Sequence, residues 1–139
     1  MKTSKQHSDI KIIKSSLIVT KEYALSSQLK KTLSAADYAV IAVDSLLQSV
    51  VEIIDNQIDV YIADIDYIDQ TSLKFIHIIS SIRPRLPIII ITSDNSIDSN
   101  RQLFKNGVYY IELKPINESN LSNVFKKMHQ LPARTHVNK

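Results

Sequence analysis

The chain has 139 residues, 44% of them apolar and 22% charged, with a formal net charge of +3. That is the length of one ordinary domain with a buried core, and the balance excludes a disordered or membrane-spanning chain. Cysteine is absent and glycine occurs once, at Gly107, which excludes disulfides, thiolate metal sites and the multi-glycine loops that cradle nucleotide phosphates.

Short β-branched runs alternate with helical periods along the chain, as in βα units around a parallel sheet. A first strand is expected within Ile13 to Val19, centred on Leu17, Ile18 and Val19. Leu25, Leu29 and Leu33 then recur every four residues, the buried stripe of a helix. Tyr38 to Val43 reads as the second strand. Ser45 is placed to cap the next helix, with Leu46, Leu47, Val50, Val51 and Ile54 as its expected inner face.

Val60 to Ala63 is the third strand, followed by a helix over 72–82 that Pro84 and Pro87 end. That helix carries Leu73, Phe75, Ile76, Ile78, Ile79 and Ile82, more than one stripe, so it is either deeply packed or keeps an exposed apolar patch. Ile88 to Ile91 is an unalternating isoleucine run, expected of a central strand covered on both faces. A helix from about Ser96 ends at Gly107, where a left-handed C-cap is expected. Tyr109 to Leu113 is the fifth strand. The last helix, 117–129, has Leu121, Val124, Phe125 and Met128 on one face. The expected organisation is one domain over 13–130, between a flexible segment at 1–12 and a tail or linker at 131–139.

In doubly wound sheets, ligands bind beyond the carboxyl ends of the strands. Thr20, Lys21 and Glu22 follow strand one, Asp64 ends strand three, Thr92 ends strand four and Lys114 follows strand five. Four segments therefore deliver polar side chains to one sheet edge, which points to a site without reference to any family. His7, His77, His129 and His136 lack metal-site spacing, and no nucleophile-plus-base or Ser-His-Asp arrangement is visible, so the chain is read as a non-enzyme.

The order of these residues resembles a known pattern. Asp59, four intervening residues and Asp64, then Thr92-Ser93 after the isoleucine strand, then Asn106-Gly107 and Lys114-Pro115, are similar to the receiver domains of two-component response regulators. The resemblance covers about Ile13 to His129. It implies a flavodoxin-like (βα)5 fold, a five-stranded doubly wound parallel sheet. It also implies Asp64 in the place of the phosphoacceptor, with Thr92 and Lys114 at the phosphate site.

The same resemblance implies an acidic, Mg²⁺-holding pair after strand one, and there the sequence departs. Thr20 and Lys21 stand in those positions, a hydroxyl and a cation in place of two carboxylates, so Mg²⁺ binding and any other cofactor are not expected. Lys21 is placed to pair with Asp64 beside Lys114, whereas Glu22 or Asp66 would reach a metal only through a loop shift. The Pro-Gly turn expected after the phosphoacceptor is absent from Ile65 to Asp69. The aromatic expected three residues before the lysine is Ile111, with Tyr110 beside it.

Three readings of function follow. The first is a cytoplasmic, atypical pseudo-receiver of two-component type that lacks the acidic pair and acts by phosphorylation-independent protein–protein interaction. The second is a working phosphoacceptor with a metal-poor pocket. The third is a small α/β ligand-binding protein or enzyme. The expected partner is a signalling or output protein, a histidine kinase or a second copy of the chain. A pairing surface implied by the family would use Arg101, Lys105, Glu112, Lys126 and Lys127. Neither direct nucleic-acid binding nor membrane insertion is expected: the positive charge lies partly in the ends, and no arginine-rich run is interleaved with aromatics.

Overall fold

A computed structural model describes residues 11–66 and 72–131. The chain builds five strands and five helices in strict alternation: β1 (Lys14–Val19), α1 (Tyr23–Ala35), β2 (Tyr38–Val43), α2 (Leu46–Asp55), β3 (Val60–Asp64), α3 (Ser72–Ile82), β4 (Ile88–Thr92), α4 (Ile97–Lys105), β5 (Tyr110–Leu113) and α5 (Glu118–His129). The strands pair in parallel in the order β2-β1-β3-β4-β5, the flavodoxin-like order expected from the sequence. The expected ends, 1–12 and 131–139, lie almost entirely outside the described residues, as do positions 67–69 of the turn after Asp64.

The isoleucine run of β4 is explained by what covers it. Successive side chains in a strand point to opposite faces. Ile89 and Ile91 pack with Leu25, Leu29 and Leu33 of α1 and Leu121, Phe125 and Met128 of α5. Ile88 and Ile90 pack instead with Ile53 of α2, Ile76 and Ile79 of α3 and Leu103 of α4. Two apolar clusters thus sandwich the sheet, and a central strand must be apolar on both sides.

The helix starts follow local chemistry. Ser45, Ser96 and Asn117 accept from the amides of Gln48, Ser99 and Asn120, satisfying first-turn donors that have no partner within the helix. α2 differs from expectation in its rotation about its axis. Its inner face is Ser49 and Ile53 with the partly buried Leu46 and Val50, whereas Leu47, Val51 and Ile54 face outward. The Ser49 hydroxyl shares a 2.8 Å hydrogen bond with the buried Tyr61 hydroxyl, and that polar pair takes a position that hydrophobic patterning assigned to an apolar side chain. In α3, Ile76 and Ile79 are buried and Ile78 and His77 are exposed.

Gly107 ends α4 at φ 97°, the left-handed backbone that glycine adopts without cost. A Cβ there would stand 2.6 Å from Ser80 Oγ, whose hydroxyl donates to the Asn106 carbonyl. Gly107→Ala is expected to cost about 2 kcal/mol in urea unfolding, from the left-handed strain and the displaced hydroxyl. An unchanged midpoint would show that the turn relaxes freely.

Candidate functional site

The carboxyl ends of β1, β3, β4 and β5 meet where the sequence places its polar residues. Backbone bonds fix the approach of each loop. The Thr20 amide donates to Val43 O, the Ile65 amide to Ile91 O and the Lys114 amide to Thr92 O, so the ladder continues past the strand ends and carries Thr20 and Lys114 to the pocket. The Lys114–Pro115 peptide bond is cis.

Asp64 sits at the centre, its side chain 1% exposed. Thr20 Oγ1 donates to Asp64 Oδ2 at 2.7 Å, and the Asp66 amide donates to Asp64 Oδ1 at 3.1 Å. Lys114 Nζ bridges both oxygens, 3.1 Å from Oδ2 and 3.0 Å from Oδ1. The same ammonium lies 2.9 Å from Glu22 Oε2 and 3.0 Å from Asp66 Oδ2. Three carboxylates, one from the start of α1 and two from the end of β3 and the turn after it, therefore converge on one lysine.

This arrangement shifts the titration of the groups that form it. Burial alone would lower the Lys114 pKa, but the carboxylates of Glu22, Asp66 and Asp64 outweigh it and hold the ammonium well above its ordinary 10.5. Burial would likewise raise Asp66; the Ser93 amide, Lys114, the Ser93 hydroxyl and Thr92 together hold it below 3.8 instead.

Thr92 does not reach Asp64 by any hydrogen bond in the structure. Its hydroxyl donates to Asp66 Oδ1 at 3.1 Å and accepts from the Asp94 amide. Ser93 adds its amide and hydroxyl to the same carboxylate at 2.9 and 3.0 Å. Strand alternation accounts for the division: Asp64 carries the parity of Ile62, on the α1/α5 side, and Thr92 that of Ile90, on the other side.

Lys21 requires a correction. It was expected beside Asp64, yet it is exposed and forms no ion pair with any described residue. A neighbouring side chain, Glu22, turns inward in its place. Glu22 is the N-cap residue of α1 but makes no side-chain cap, because its carboxylate is committed to Lys114. Glu22, Asp66 and Ser93 were visible in the sequence as polar residues beside the strand ends, but their bonds to Lys114 and to one another were not expected. Which loop residue turns inward is set by backbone geometry that residue spacing does not encode.

Glu112, expected on a pairing surface, is also corrected. It is buried, accepting from the Tyr110 hydroxyl at 2.9 Å and the Asn117 amide at 2.7 Å. Tyr110 packs against the α1/α5 cluster, whereas Ile111 packs on the opposite face, so Tyr110 does not replace an aromatic at Ile111. Asp59 lies at the far end of β3, accepting from the Ser15 amide, and plays no part in the pocket.

In this structure the cation among the carboxylates is one that the chain itself supplies. Mg²⁺ requires near-octahedral oxygen coordination at about 2.1 Å, and here the three carboxylates hold an ammonium between them. Among the described residues no three His, Cys, Asp or Glu side chains are placed to hold a metal.

The sequence matches the family model of the response regulator receiver domain over residues 17–126. The chain belongs to that family. Receiver domains are signalling modules of two-component systems, working with histidine kinases and output domains, and this one has their sheet order. Comparison by sequence with curated proteins gives no match.

Solved structures share the receiver fold. A response regulator from Thermotoga maritima superposes with a TM-score of 0.78 at 19% identity, over 84% of this chain and 98% of that one. A protein described as pilus assembly-related from Burkholderia pseudomallei gives 0.77 at 19% identity, over 91% and 99%. The chemotaxis protein CheY4 of Vibrio cholerae gives 0.75 at 18% identity, over 84% and 99%. At these identities the likeness is one of fold. No helix among the described residues of this receiver is long and apolar enough to cross a membrane.

Proposed function

We propose that this receiver is an atypical one, a pseudo-receiver that acts by protein–protein interaction without phosphorylation of Asp64. The observation that carries the reading is the state of the Asp64 carboxylate. Its side chain is 1% exposed and both oxygens are engaged, by Thr20, the Asp66 amide and Lys114. An aspartyl nucleophile must present a free oxygen to phosphorus while cations neutralise the incoming charge. Here Lys114, equivalent in sequence to the phosphate-site lysine, is held by three carboxylates instead. Thr92, equivalent to the phosphate-site hydroxyl, is bound to Asp66.

The test is titration of the wild-type protein with Mg²⁺ and beryllofluoride, followed by amide NMR. The expected result is no saturable shift at Thr20, Asp64, Thr92 or Lys114. Saturable shifts centred on Asp64 would overturn the reading. One observation favours a second reading, a working phosphoacceptor with a metal-poor pocket: Glu22 and Asp66 supply carboxylates that the positions of Thr20 and Lys21 lack. In that case acetyl phosphate would add one phosphoryl group to wild type and none to Asp64→Ala.

A further inference from the structure

We infer that this chain associates head to tail with copies of itself, the outer stripe of α2 in one copy docking on the α4–β5 edge of the next. The inference uses none of the residues of the Asp64 pocket and does not rest on how that pocket is read.

Two exposed helix stripes have the same spacing and opposite charge. On α2, Leu47, Val51 and Ile54 recur at i, i+4 and i+7, and Asp55 follows at i+8. Leu47 is 70% exposed and Ile54 59%. On α4, Ile97, Arg101, Phe104 and Lys105 occupy the same four positions, with Ile97 74% and Phe104 52% exposed. Each apolar stripe runs about 10 Å along its helix, and side chains at these spacings share one face.

The charges are what select the partner. α2 contains Glu52 and Asp55 and neither lysine nor arginine. The outward positions of α4 carry Arg101 and Lys105. Asp55 and Lys105 form no ion pair with another described residue, and Arg101 meets only the exposed Asp98 at 3.5 Å. An isologous contact through α2 offers Asp55 no cation, and one through α4 offers Arg101 and Lys105 only the Asp98 that Arg101 already meets. Docking α2 parallel to α4 of another copy pairs both apolar stripes and sets Asp55 beside Arg101 and Lys105.

The topology permits this. α2 follows β2 and α4 leads into β5, the two edge strands of the sheet. Tyr109 and Leu113 are exposed beside β5, on the α4 side by strand alternation with Ile111, and they widen the apolar edge. An interface between two different patches is heterologous and propagates into a ring or an open chain.

Sedimentation velocity on wild type and two surface variants, Leu47→Glu and Phe104→Glu, tests this, with circular dichroism confirming that both fold. The expected result is wild type whose mass rises with concentration beyond a dimer, and each variant monomeric alone. An equimolar mixture of the two should form a dimer and stop there, because each retains one intact patch. As a second readout, Asp55→Lys or Lys105→Asp alone should weaken association several-fold, and the double substitution should restore it. A monomeric wild type, a variant that still dimerises alone, or a mixture that stays monomeric would each overturn the proposal.

Discussion

Replacing Lys114 with methionine is expected to destabilise the fold by about 3 kcal/mol and to make its stability respond to divalent cations. Lys114 Nζ lies within 3.0 Å of Glu22, Asp64 and Asp66. Removing one partner of a buried ion pair costs about 3–5 kcal/mol, because the other charge stays buried without compensation. The lower end applies here, since the side chains of Glu22 and Asp66 are partly exposed at 35% and 18% and water can reach them. With the ammonium gone, three carboxylates would surround a space that a cation can neutralise. Urea unfolding with and without MgCl₂ checks both parts: wild type should be indifferent to Mg²⁺, and Lys114→Met should regain stability with it. Equal midpoints for the two proteins would show that the ammonium does not neutralise the cluster.

The pH dependence of the same pair follows from the direction of each shift. Asp66 is held below its ordinary 3.8, so its contribution is complete above that value and is lost as pH falls through the folded pKa. Lys114 is held above 10.5, so its contribution is complete below that value and is lost as pH rises through the folded pKa. The cluster therefore supports a plateau across the neutral range. In Lys114→Met one of the bonds holding Asp66 down is missing, and the acid limb should begin at higher pH.

Restoring an acidic pair is the second large effect. Thr20→Asp/Lys21→Asp is expected to lose about 3 kcal/mol in the absence of metal and to recover most of it with Mg²⁺. Thr20 Oγ1 is 2.7 Å from Asp64 Oδ2, and a carboxylate in its place would replace a hydrogen bond with a like charge beside a group 1% exposed. Burying an unpaired charge is among the few single changes with effects of this size. A cation that binds only the folded state then stabilises by RT ln(1 + [L]/Kd), about 2.7 kcal/mol at a hundredfold excess over Kd. Lys21→Asp alone should do much less, since Lys21 is exposed and outside the pocket. Thermal unfolding across a Mg²⁺ series separates the two: a strong Mg²⁺ response from Lys21→Asp alone would mean that the loop after β1 rearranges to bring position 21 inward.

The order of elements was legible in the sequence because it depends on local signals. Period-2 and period-3.6 patterns, the cap at Ser45 and the stop at Gly107 each act over a few residues; the elements, the cap and the stop were realised as expected. The isoleucines of β4 announced a strand covered on both faces for the same reason. The positions of Asp64 and Lys114 at one end of the sheet followed from topology, because parallel strands joined by crossover helices must end on one side.

What the tertiary structure decided was the direction in which individual side chains point. Glu22 rather than Lys21 faces the pocket, Thr92 bonds Asp66 rather than Asp64, and Glu112 lies inside rather than on the surface. The face of α2 that turns inward belongs with these: Ser49 is buried against Tyr61 while Leu47 is exposed, the reverse of what hydrophobicity alone assigns. For Ser49, Thr92 and Glu22 the outcome depends on partners 12, 26 and 92 residues away in the chain. A hydrogen bond or ion pair between distant segments exists only once the sheet has brought them together, so composition and spacing along the chain cannot specify it.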